Sequence, residues 1–239
     1  MDQYEQIFAN KQTILVVMAH PDDLDAMCGG TVARLCADGK KVVSVKVTTG
    51  NRGSQDSTIA PQELAKIRAQ EDAKAMKVLG VHQSVSLGLD DGTVTNSQEV
   101  IEKIAYQIRT FQPDLIMTTN PEHVVIHRGP GKNHVNHRDH RNVAISTVDA
   151  AYPFSRDRAF FAEQFKDSGL RPSTCNEMLF VDSWDGTDEV TVSIKGYEAQ
   201  KRAAIASHKS QFTEQSAHDV FNYFTREGHQ EVFRHIVFN

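Results

Sequence analysis

An unbroken apolar run, Ile14-Leu15-Val16-Val17-Met18-Ala19, ends abruptly in His20-Pro21-Asp22-Asp23. A β-branched run without polar alternation predicts a strand over Thr13–Ala19 buried on both faces, the habit of parallel sheets. Pro21 stops it, because proline offers no ladder N–H and restricts the residue before it. Similar runs predict strands at Lys41–Thr48, Ser84–Leu87, Pro113–Thr119 and Glu177–Asp182. Helical periodicity lies between them. Gly29-Gly30 reads as a tight turn before a helix over Thr31–Asp38, which Gly39 ends. Pro61–Leu79 carries Leu64, Ile67, Ala75, Met76 and Leu79 on one side, with Gly80 as its stop. Asn96 and Glu99 resemble a capping box for a helix reaching about Phe111. Further helices are expected through about Ala151 and at Lys195–Ser210, while the tail from Gln211 mixes aromatics with charge.

Strands and helices in alternation predict an α/β fold: a Rossmann-like, mostly parallel sheet with helices on both faces. The 239 residues suit a single domain, with 1–12 as an N-terminal extension. No internal repeat or Pro/Ser-rich linker divides the chain. The turn Asp90-Asp91-Gly92 closes the third strand and reads as a turn rather than a site. The loop 120–136 is long, polar and rich in histidine, and such loops in compact domains are usually functional. Its His123, His127 and His134 read as solvated rather than as ligands.

A formal net charge of −5 argues against a nucleic-acid partner. No apolar run approaches the roughly 18 residues of a membrane span. The acidic start Met1-Asp2-Gln3-Tyr4-Glu5 lacks a signal-peptide pattern. Cys28, Cys36 and Cys175 form no CxxC pair and fit a reducing compartment, so a cytoplasmic location is expected. Any metal would then be held by histidine and carboxylate.

Two clusters carry chemistry: His20, Asp22 and Asp23 at the end of the first strand, and His137, Asp139 and His140 after the fourth. In open α/β sheets the crevice beyond the strands' carboxyl ends is where ligands bind. A catalytic zinc takes three His/Asp/Glu ligands and leaves a position open, and a nearby carboxylate can serve as base. On the residues alone, His20 and either aspartate could hold a metal, the other aspartate acting as base. An Asp-Asp pair after proline is also a common helix cap.

The chain resembles the PIG-L/LmbE family of zinc-dependent N-deacetylases. The resemblance rests on Ala19-His20-Pro21-Asp22-Asp23, Gly29-Gly30-Thr31, Thr48-Thr49-Gly50, Arg68-Ala69-Gln70-Glu71 and His137-Arg138-Asp139-His140-Arg141. Later elements, His208-Lys209-Ser210-Gln211 and Glu231-Val232-Phe233-Arg234, match as well. The pattern departs at Asp25, Met27 and Arg138. The resemblance implies His20, Asp23 and His140 as ligands of one Zn²⁺, other divalent ions being open. It implies Asp22 as general base and His137 as oxyanion stabiliser, with Asp139 orienting a charged His137. The implied reaction removes an N-acetyl group from an N-acetylglucosamine-containing small molecule or oligosaccharide. Arg68, Arg52 and Asn120 stand as substrate contacts, and a homo-oligomer is left open. Two rivals are a metal-dependent phosphoesterase and a non-catalytic nucleotide-binding module; the latter would need a Gly-x-Gly-x-x-Gly turn where this chain has His-Pro-Asp-Asp. Nothing assigns Trp184.

Overall fold

A computed structural model describes residues 2–54, 56–127, 133–166, 169–183, 188–227 and 229–238. The first elements are α1 (Tyr4–Phe8), β1 (Thr13–Met18), α2 (Asp23–Ala37), β2 (Lys41–Thr48), α3 (Pro61–Leu79) and β3 (Gln83–Leu89). Then come α4 (Gln98–Phe111), β4 (Leu115–Thr119), β5 (Val125–His127), β6 (Asn133–Val135) and α5 (Arg138–Asp149). The chain continues with β7 (Glu177–Val181), β8 (Glu189–Ser193), α6 (Glu198–Ile205), α7 (Glu214–Phe224) and β9 (Gln230–Val237).

The main sheet has seven strands in the order β3-β2-β1-β4-β7-β9-β8. Neighbours from β3 to β7 are parallel, whereas β9 runs antiparallel to both β7 and β8. The unbroken apolar character of β1 has a direct cause. Ile14, Val16 and Met18 enter the core under α2, and Leu15, Val17 and Ala19 enter the opposite core under α4 and α5. With two alternate sets both buried, Thr13 at the start is the one polar position on the strand.

Three expectations change. Gly29-Gly30 is not a turn before a helix but lies inside α2, which begins at Asp23 and bends at Cys28, where φ is −140°. The Glu231 carboxylate accepts hydrogen bonds from the Gly30 and Thr31 N–H groups at 2.9 and 2.8 Å, satisfying donors that the bend frees. A Cβ on Gly30 would stand 2.6 Å from the Ile194 side chain, so close packing dictates glycine there. The cap of α4 is Ser97, whose hydroxyl accepts from the Val100 N–H; Asn96 instead bonds Asp149 and Ser146. The expected helix over Lys195–Ser210 contracts to α6. The N-terminal extension, residues 1–12, carries α1, which buries Tyr4, Ile7 and Phe8 in the core.

Candidate active site

The chain runs outward from β1 through β2 to β3, then returns to β4 on the other side of β1. The loops after β1 and β4 therefore diverge and leave a crevice at this switch point. His20, Asp22 and Asp23 come to it from β1; His137 and His140 come from the start of α5. Among the described residues, 120–136 holds the hairpin β5–β6.

Three side chains close into a triangle, with the two histidines meeting different oxygens of Asp23. His20 Nδ1 lies 3.2 Å from His140 Nε2 and 3.3 Å from Asp23 Oδ2, and His140 Nε2 lies 3.1 Å from Asp23 Oδ1. Ligands about 2.0–2.1 Å from a tetrahedral ion stand roughly 3.3 Å apart, so the spacing fits a single small divalent cation. Both Asp23 and His20 are buried. Burial opposes ionisation of Asp23, but His140 and His20 outweigh it and hold the carboxyl well below its usual range. Burial likewise disfavours charge on His20, yet Asp23, Asp139 and Asp91 raise it to about 12.

Asp22 occupies the N-cap position of α2, but its side chain makes no capping bond. Its Oδ1 instead accepts a hydrogen bond from Arg68 Nη2 at 2.5 Å. Arg68 is 2% exposed, and its Nη1 donates to the Gly50 carbonyl at 3.0 Å. Gly50 has φ +64° and a Cβ there would overlap the guanidinium, so the backbone is shaped around Arg68. The guanidinium expected to meet substrate hydroxyls is thus engaged with Asp22.

His137 caps α5. Its Nδ1 accepts the Asp139 N–H at 3.2 Å, which places the proton of a neutral ring on Nε2. Burial, then the neighbouring His20 and His140, hold His137 below its ordinary range. The expected charged ring is therefore corrected to a neutral one with an Nε2–H donor. The Asp139 carboxylate does not bond His137; its Oδ2 accepts the Gly92 N–H at 2.6 Å and stands 3.6 Å from His20 Nε2.

The family model described as "PIG-L: GlcNAc-PI de-N-acetylase" matches residues 15–151. The chain belongs to the PIG-L family. It is 27% identical over 207 residues to diacetylchitobiose deacetylase of Thermococcus kodakarensis, covering 87% of this chain and 73% of that protein. It is 30% identical over 155 residues to 1D-myo-inositol 2-acetamido-2-deoxy-alpha-D-glucopyranoside deacetylase of Thermobifida fusca, covering 50% and 53%. The solved N,N'-diacetylchitobiose deacetylase of Pyrococcus horikoshii superposes with a TM-score of 0.83 at 25% identity, over 98% of this chain and 87% of that one.

The PIG-L match ends at residue 151, yet later residues brace the site. His208 Nε2 meets Asp25 Oδ2 at 2.5 Å, both fully buried under α2. Lys201 Nζ meets Glu231 Oε1 at 2.8 Å, also fully buried. Asn120 is 2% exposed; its amide donates to Ser183 Oγ and its oxygen accepts the Glu122 N–H, so both groups are engaged within the chain. Arg52 is exposed and pairs with Asp90 at 3.1 Å. His134 contacts the Tyr223 hydroxyl. Trp184 and residues 128–132 lie outside the described residues. The residue that sequence reasoning passed over is Asp91, 3.1 Å from His20 Nε2. Its place next to a turn glycine was the visible signal, but a turn accounts for that pattern equally well.

Proposed function

We propose that this protein is a zinc-dependent N-deacetylase that hydrolyses the acetamide of an N-acetylglucosamine-containing small molecule or oligosaccharide. The observation that carries the reading is the triangle of His20, Asp23 and His140 with the Asp22 carboxylate beside it. The chemistry a zinc-type ion supplies when bound there is acidification of water and polarisation of an amide carbonyl.

The chain's own groups do the rest. Arg68 holds the Asp22 carboxylate in place through Oδ1, and the carboxylate takes the proton of the attacking water on its other oxygen. His137 offers its Nε2–H to the oxygen that gains charge as the carbonyl is attacked. The protonated Asp22 can then deliver its proton to the departing amine, so one carboxyl serves both halves of the reaction. His20 holds its orientation through the neighbouring carboxylates. Relatives named for amino-sugar deacetylation support the substrate class. A phosphoesterase is less well supported, because the second cluster among the described residues, His20, Asp91 and Asp139, shares its histidine with the triangle instead of forming an independent site.

The test is release of primary amine from N-acetylglucosamine, diacetylchitobiose and an acyclic acetamide, before and after chelation. Amine from the sugars that disappears on chelation and returns with Zn²⁺ is expected. Comparable kcat/KM for the acyclic acetamide would refute the sugar reading, and activity untouched by chelation would refute the metal.

A further inference from the structure

The turn after β3 is fastened more heavily than a connection requires. Asn51, from the loop after β2, donates its amide to Asp90 Oδ1 at 2.8 Å and accepts the Asp91 N–H at 3.0 Å. Thr93 Oγ1 donates to the Asp90 carbonyl at 2.7 Å. From α5, Arg138 donates to the Gly92 carbonyl at 2.9 Å, and Asp139 accepts the Gly92 N–H. Gly92 sits at φ +78°, a conformation that strongly favours glycine. The product of this clamp is a single buried carboxylate, Asp91, 7% exposed, with Oδ1 3.1 Å from His20 Nε2.

From this geometry we infer that Asp91 is a positioning residue for the metal centre, acting through His20; the inference rests on the metal reading of the triangle. A neutral imidazole carries one proton. If Nδ1 faces Asp23 and His140 as a ligand, that proton is on Nε2, and Asp91 Oδ1 is its acceptor. A carboxylate behind a ligating histidine fixes the ring's tautomer and angle and makes it a better donor. Asp139 is the weaker acceptor, at 3.6 Å and already holding Gly92. The clamp links two loops and the start of α5, so Asn51 and Arg138 serve the same end by holding Asp91 in register. The alternative, a second ion held by His20, Asp91 and Asp139, would need both ring nitrogens of His20 to ligate at once.

The experiment is Zn²⁺ affinity by chelator competition on the full chain as wild type, Asp91→Ala and Asp91→Asn, with the Co²⁺-substituted visible spectrum as a second readout. Asp91→Ala should bind one equivalent about 10- to 100-fold more weakly, in line with the usual effect of removing such a partner. Its Co²⁺ spectrum should shift as His20 loosens. Asp91→Asn keeps an acceptor oxygen and the side chain's shape, so it should fall between the two; it carries the test if Asp91→Ala does not fold. Unchanged affinity and spectrum in both variants, with only KM for the sugar raised, would overturn the proposal and make Asp91 a substrate contact. Two ions in wild type and one in the variants would overturn it in favour of a second metal site. A wild type that binds no ion would refute the metal reading itself, an outcome the variants do not produce.

Discussion

Replacing Arg68 with lysine separates two readings of this residue. In the structure Arg68 makes two bonds, to Asp22 at 2.5 Å and to the Gly50 carbonyl at 3.0 Å. A lysine keeps the charge but has no fork, so it cannot make both from one position. The bond at stake involves two charged groups in a poorly solvated spot, and such bonds contribute about 1.5–3 kcal/mol. At about 1.4 kcal/mol per decade, loss of Asp22's placement lowers kcat by roughly 10- to 100-fold. The assay is steady-state amine release from N-acetylglucosamine and from an acyclic acetamide, with metal content measured alongside. If Arg68 acts through Asp22, both substrates lose kcat by the same factor and bound metal is unchanged. In an Asp22→Asn background, adding Arg68→Lys should then cost almost nothing, because residues acting as a unit are non-additive. A loss confined to KM for the sugar would refute this and restore the hydroxyl-contact reading.

Asp22→Asn should retain its metal while losing about 10²- to 10⁴-fold in turnover, the usual contribution of a general base; Asp23→Asn should instead fail to hold the ion in equilibrium dialysis. Metal-free His20 is raised to about 12, so it is protonated at neutral pH and binding must expel that proton. Zn²⁺ affinity should therefore rise with pH by up to about tenfold per unit, and calorimetry in buffers of different ionisation enthalpy should count the proton released. Glu231→Ala leaves fully buried Lys201 without its counter-charge and should cost about 3–5 kcal/mol in urea unfolding; a loss under about 1 kcal/mol would show the pair is not structural.

What was legible from sequence divides by locality. β2 and α3 appear where periodicity placed them, because a both-faces-buried strand and a Pro-to-Gly helix each carry their own boundaries. The parallel order around β1 followed from alternation, and the two clusters of ligand-type side chains followed from where strands end. Tertiary contacts decided the rest. Gly29-Gly30 reads as a turn until Ile194 and Glu231 are seen against it. Arg68 reads as a surface charge or a substrate contact until Gly50 wraps around it. Asp91 could not be told from an ordinary turn aspartate, since its partner His20 lies 71 residues away. Strand β8 precedes α6 and β9 lies in the charged, aromatic tail, and in each the apolar set on one face is too short to mark a strand without its neighbours.

The bond from Glu231 to Gly30 joins residues 201 apart, and His208 reaches back 183 residues to Asp25. During synthesis, His20, Asp22 and Asp23 leave the ribosome well before His208 and Glu231, the groups that hold their helix at its bend. Closing loops of that length is slow compared with local helix formation. His140, the third ligand under the proposed metal reading, also precedes both of these bracing groups. On the proposed metal reading, capture of an ion in working geometry would follow the docking of β9 and not the appearance of the ligands alone.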